Sequence, residues 1–177
     1  KPNPRTHNYG VRITYSTNLH FKGLTGRNVF QFDNASYCVG IWDVTNCNNI
    51  KFEQCIGYNA GGGAFQVSGT DTIYFTNCDA YNCSDPFTTY DPGGGGFGFN
   101  WSQDSHYGYI NLKGCRAWNC SDVGFGGTNE GFISLDSCWS MQNGFYLTNA
   151  DGVNGSGFKL GLNITNPKSG LSLVVRN

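Results

Sequence analysis

Asn49-Ile50-Lys51-Phe52-Glu53-Gln54-Cys55 is the first of four matching phrases. The others are Thr72-Ile73-Tyr74-Phe75-Thr76-Asn77-Cys78, Tyr109-Ile110-Asn111-Leu112-Lys113-Gly114-Cys115 and Phe132-Ile133-Ser134-Leu135-Asp136-Ser137-Cys138. Apolar residues take every second position before each cysteine, the period of a strand with one buried face. Two of the three gaps between these cysteines are 23 residues, and the third is 37. A period in the low twenties, made of strands and turns without helical patterning, predicts a β-solenoid. The long gap reads as one ordinary coil carrying an insertion near residues 84–105.

A second repeat interleaves with the first: a small residue followed by alternating apolar positions. It appears as Gly10-Val11-Arg12-Ile13, Gly40-Ile41-Trp42-Asp43, Ala64-Phe65-Gln66-Val67, Gly96-Phe97-Gly98-Phe99, Gly124-Phe125-Gly126-Gly127 and Gly157-Phe158-Lys159-Leu160. The expectation is an all-β parallel β-helix of about seven coils, at least two strands per coil, forming one domain over residues 1–177. Like residues on successive coils then lie about 4.8 Å apart. Phe65, Phe97, Phe125 and Phe158 are expected to stack internally, and Asn59, Asn82 and Asn119 to form an asparagine ladder. Arg12, Trp42, Gln66, Gly98, Gly126 and Lys159 are expected to point outward in one column.

Few residues are charged and the net charge is −1, a balance that disfavours nucleic acid as a partner, which would need a basic stripe. No apolar run reaches the length of a membrane span. Eight cysteines with no Cys-x-x-Cys pair argue against zinc and for an oxidising, extracellular setting. Equivalent positions on neighbouring coils fall within reach of a disulfide. Cys83 with Cys120 and Cys38 with Cys47 are candidate pairs; Cys55, Cys78, Cys115 and Cys138 either pair as neighbours or form a ladder of buried thiols. Asn-x-Ser/Thr sequons at Asn34, Asn82, Asn100, Asn119, Asn154 and Asn163 are candidate glycosylation sites and fit a secreted chain. His7, His20 and His106 are scattered and read as surface or turn residues.

Gly114-Cys115-Arg116-Ala117-Trp118-Asn119-Cys120-Ser121-Asp122-Val123-Gly124-Phe125 resembles the family nine polysaccharide lyases, pectate lyases built on a right-handed parallel β-helix. The likeness continues in Asn77-Cys78-Asp79-Ala80-Tyr81-Asn82, Gly93-Gly94-Gly95-Gly96-Phe97 and Gly155-Ser156-Gly157-Phe158-Lys159-Leu160-Gly161. It implies β-elimination on an acidic polysaccharide, with a lysine as base and calcium neutralising the uronate carboxylate. The lysine maps onto Lys159. Of the family's calcium carboxylates only Asp122 is kept; Val123, Gly126 and Gly95 stand at the other positions. Calcium needs several oxygen ligands, so Asp91 and Asp104 are the remaining candidates to complete a site. By default Lys159 is a solvated lysine and Asp122 a turn residue. Arg116, Trp101 and Trp118 are candidate substrate contacts, the indoles by stacking on sugar rings; core packing is the alternative for Trp118, which shares a column with Tyr58 and Tyr81.

No capping helix is visible beside Leu171-Ser172-Leu173-Val174-Val175-Arg176-Asn177 or Lys1-Pro2-Asn3-Pro4, and no leader is seen, so the chain reads as mature or as cut from a longer β-helix. Head-to-tail docking into a filament is the other reading of such ends. Three functional readings follow: a secreted lyase-like enzyme, a non-catalytic β-helix that binds glycans or stacks into fibres, and a segment of a phage tailspike or adhesin.

Overall fold

The computed structural model describes residues 9–29, 40–85, 96–103, 108–129, 131–144, 155–162 and 172–176. Every regular element among them is a β-strand, and every pairing is parallel. With strands numbered in chain order, the first sheet stacks β1 (Tyr9–Thr14), β4 (Gly40–Thr45), β7 (Phe65–Ser68), β10 (Phe99–Gln103), β13 (Val123–Asn129) and β16 (Ser156–Leu162). The second stacks β2 (Thr17–Lys22), β5 (Asn48–Glu53), β8 (Thr72–Thr76), β11 (Tyr109–Lys113), β14 (Phe132–Asp136) and β17 (Ser172–Arg176). The third holds β3 (Thr25–Val29), β6 (Ile56–Ala60), β9 (Asp79–Cys83), β12 (Arg116–Trp118) and β15 (Trp139–Met141). Each coil visits the three sheets in turn, which is a parallel β-helix.

The cysteine phrases form the second sheet. Ile50, Ile73, Ile110 and Ile133 make one buried column, and Phe52, Phe75, Leu112 and Leu135 the next. Each such side chain contributes about 1.5–3 kcal/mol by leaving water. The corner at the sixth residue of each phrase has left-handed backbone: Gln54 (φ 53°), Asn77 (φ 52°), Gly114 (φ 62°) and Ser137 (φ 53°). That one residue turns the chain and delivers the following cysteine inward. The seven described cysteines are free thiols. Each Sγ lies 3.3–3.6 Å from the carbonyl two residues earlier, so every thiol has a backbone acceptor, and Cys47, Cys55 and Cys78 have a second on the preceding coil. Of the two sequence readings of this column, the thiol ladder is the one present, and Cys83 and Cys120 are also thiols; Cys38 lies outside the described residues. Burial pushes the Cys83 and Cys115 thiols well up, reinforced by hydrogen bonds to Cys120 and to Cys138 and Cys78 respectively.

The internal aromatic stack exists, with one member corrected. Phe65, Phe99, Phe125 and Phe158 stack face to face at centroid separations of 4.8, 4.9 and 5.1 Å. Phe99, not Phe97, is in register with Phe65 and Phe125, and Phe97 is only half-buried. Phe97-Gly98-Phe99 repeats every two residues, so a slip of two positions keeps every side chain on its own face and leaves no trace in the pattern. Trp42 is corrected too. It pairs with Phe65 inside the coil, 3% exposed, with its indole N–H donating to Ile56 O at 3.2 Å.

The asparagine ladder is present and longer than expected. Nδ2 of Asn59, Asn82 and Asn119 each donates to the Oδ1 one coil back, beginning at Asn28. All four have left-handed φ, between 53° and 61°.

Candidate functional site on the first sheet

The corrected register rebuilds the outward column of the first sheet as Arg12, Asp43, Gln66, Asn100, Gly126 and Lys159. Trp42 and Gly98 leave it, and Asp43 and Asn100 enter. Arg12 Nε lies 3.1 Å from Asp43 Oδ2, an ion pair at the start of the column. Asp43 and Gln66 are 7% and 9% exposed although their strand positions face outward. Asn100 is half-buried and Lys159 is exposed. The accessible groups of the column are therefore Arg12 at its start, which is paired with Asp43, and Asn100 and Lys159 either side of Gly126.

Gly126 is flat because its neighbour fills the space above it. A Cβ built on Gly126 would lie 3.0 Å from Val123 Cγ1. Val123 itself is fully buried and Asp122 is 5% exposed. Asp122 sits at the corner leading into β13, its N–H donating to Gly96 O (3.1 Å) and its carbonyl accepting from Ser156 N (3.3 Å). An isopropyl group thus occupies the place beside Asp122 and Gly126 where further carboxylates would be needed. Among the described residues no three His, Cys, Asp or Glu side chains converge. These residues do not fit calcium held in the manner the resemblance implies. Asp91 and Asp104 lie outside the described residues.

The remaining candidates do not gather around Lys159. Trp101 lies in the first sheet but points inward beside Val67, 2% exposed, so no ring face is open to a sugar. Arg116 and Trp118 belong to β12, on the outward face of the third sheet. Arg116 makes a bidentate ion pair with Asp79, which raises the guanidinium pKa. Trp118 stacks on Tyr81 at 4.5 Å, the outward alternative to core packing. Among the sequon residues, Asn82 and Asn119 hold places in the ladder and Asn100 lies in the first-sheet column; Asn34, Asn154 and Asn163 lie outside the described residues, as do His7 and His106. His20 pairs with Glu53 on the surface at 3.2 Å. Sequence reasoning missed Asp43 and Asn100, and the signal for both was register.

Residues 3–177 match the family model described as the Pel9A-like, right handed beta helix region. The chain belongs to this family. Its helix is accordingly right-handed, as parallel crossovers are. A solved structure, the crystal structure of pectate lyase Pel9A, superposes on the Pel9A-like chain with a TM-score of 0.64 at 22% identity. The match covers 90% of this chain and 48% of that one, so the Pel9A-like chain spans about half the length of that relative. At this identity the likeness speaks to the fold. No curated protein matches the sequence.

Proposed function

We propose that this Pel9A-like chain acts on or binds an acidic polysaccharide outside the cell, along the outward column of the first sheet, with Lys159 as the base of a β-elimination. The observation that carries the reading is the exposed Lys159 amine in register with Gly126 and, one coil further along the column, the half-buried Asn100. In its free-amine form Lys159 takes the proton on the carbon next to a uronate carboxylate. The electron pair of that C–H bond forms the new double bond, the bond to the leaving glycosidic oxygen breaks, and that oxygen takes a proton from water to become a hydroxyl. In its ammonium form the same group pairs with the carboxylate and holds the chain in place. Asn100, one coil beyond Gly126, offers an amide to a sugar hydroxyl.

A second reading, a non-catalytic β-helix that binds glycans or stacks end to end, is favoured by Val123 beside Gly126, which leaves Asp122 without a second acid there. One experiment separates the two. Polygalacturonate is incubated with the protein, with and without calcium, and the ultraviolet absorbance of the unsaturated product is followed. Product that vanishes in Lys159→Ala supports elimination. Retarded migration in a polygalacturonate gel without product supports binding alone, and neither product nor retardation ends both readings on this face.

A further inference from the structure

The third sheet presents a second surface, separate from the Lys159 column. Two outward columns run along it: Ile56, Asp79, Arg116 and Trp139 in one, and Arg27, Tyr58, Tyr81 and Trp118 in the other. Tyr58, Tyr81 and Trp118 are all half-buried and nearly parallel, with centroids 4.8 and 4.5 Å apart and planes within 5° and 9°. Tyr81 has a ring on each face, Tyr58 has Arg27 on its other side and Trp118 has Trp139 at 6.5 Å, so the row shows solvent mainly its edges.

That geometry selects the ligand. An aromatic ring is negative on its face and positive at its edge. A neutral sugar stacks on a bare face, which this row lacks; an anion is drawn to edges and N–H or O–H donors, which it repeats once per coil. The cations lie in the same place. Arg27 closes one end, Nη1 donating to Tyr58 Oη at 2.9 Å, and is exposed. Arg116 lies with its guanidinium carbon 5.9 Å from the Trp139 ring centroid, and its partner Asp79 is 9% exposed. Partial burial, with Tyr58 and Asp79 nearby, raises the Tyr81 pKa, so its hydroxyl stays protonated and able to donate.

We infer that the outward face of the third sheet is a binding surface for an acidic polysaccharide lying along the helix axis, held edge-on by the Tyr58–Tyr81–Trp118 row and by Arg27. The site stands independently of the Lys159 reading, and its test is built so that the two fail separately.

All measurements use the full chain carrying Lys159→Ala, which removes the amine of the first-sheet reading and leaves there only Arg12, paired with Asp43. Affinity electrophoresis and calorimetry with polygalacturonate are compared with a neutral galactan. The expected result is salt-sensitive binding to polygalacturonate only. It weakens roughly tenfold on adding Arg27→Glu, equivalent to about 1.4 kcal/mol. Tyr81→Ala is a second variant, but it removes a stacked ring; Arg27→Glu, at an exposed position, keeps the test valid if that variant fails to fold. Equal binding to the neutral galactan, or binding unchanged by Arg27→Glu, overturns the proposal. So does sedimentation showing, without polysaccharide, a dimer that Arg27→Glu dissociates, since a second copy would then be the occupant.

Discussion

At the scale of single residues, the small side chains opening each first-sheet strand are explained by what faces them. A Cβ on Gly98 would lie 2.5 Å from Gly124 O and 2.8 Å from Ala117 Cβ, and one on Gly124 would lie 1.9 Å from Ser140 Oγ. The first and third sheets meet here at near backbone contact, and Ala80 and Ala117 complete the close approach. Gly98→Ala is therefore expected to lower stability by about 1–3 kcal/mol, as overpacking does, because backbone has to move. Gly23→Ala is the companion variant: nothing lies within 4 Å, and only its φ of 65° opposes a side chain, a cost near 1 kcal/mol. Denaturant titration of both chains checks the order, and an equal or smaller loss for Gly98→Ala removes the close-contact explanation. Asn82→Ala tests the ladder in the same way. It loses the amide that donates to Asn59 and the oxygen that accepts from Asn119. An expected loss of about 1–3 kcal/mol follows from two hydrogen bonds and a left-handed φ that asparagine tolerates better than alanine.

At the scale of elements, the three sheets differ in how they are written. The second sheet is legible at sight, because Ile and Phe alternate with polar residues and a cysteine closes each strand. The third sheet is written the other way round, with Gly57, Ala80 and Ala117 inward and Tyr58, Tyr81 and Trp118 outward. Small inward residues leave no apolar alternation, so the segment reads as a turn tail although its repeat is plain. In the first sheet, Gly-Phe-Gly-Phe hid the register and with it Asn100, while at Gly40-Ile41-Trp42-Asp43 an offset of one residue pairs Trp42 with Phe65 and turns Asp43 outward. The candidate site suffered similarly: Arg116 and Trp118 lie in one phrase of the family resemblance and Lys159 in another, and the coil sends the two phrases to different sheets. The cysteine column makes its own prediction. Cys83 and Cys115 are 0% exposed and their pKa values are raised, so at neutral pH both remain thiols. Iodoacetamide is expected to leave them unmodified in the native chain and to label them only after denaturation, with mass spectrometry reading each site. Labelling of both at native pH 7 contradicts the buried column.

At the scale of the whole molecule, a solenoid has no centre, only interior coils and terminal ones, since each coil touches the coils before and after it. Interior coils bury both sides of each ring: Phe75 stacks on Phe52 at 5.3 Å and packs edge-on against Phe65 and Phe99. Phe158 in β16 has a ring neighbour at Phe125 and is 41% exposed, and Val175 in β17 is 60% exposed. Stability should therefore be lower at β16 and β17, where these side chains are exposed, than at β8 and β11. Native-state hydrogen exchange is expected to show amides of β8 and β11 opening close to the global unfolding free energy, and those of β16 and β17 a few kcal/mol below it. Mutation separates this from simple fraying. Phe75→Ala removes a ring with neighbours on both sides and is expected to cost about 3–5 kcal/mol, with protection lost in coils on either side. Phe158→Ala removes a half-exposed ring, so it is expected to cost less and to lower protection in β16 while β8 stays unchanged. Equal protection from β8 to β17, or equal losses from the two substitutions, is incompatible with nearest-neighbour stacking and would mean that the three sheets unfold as one unit.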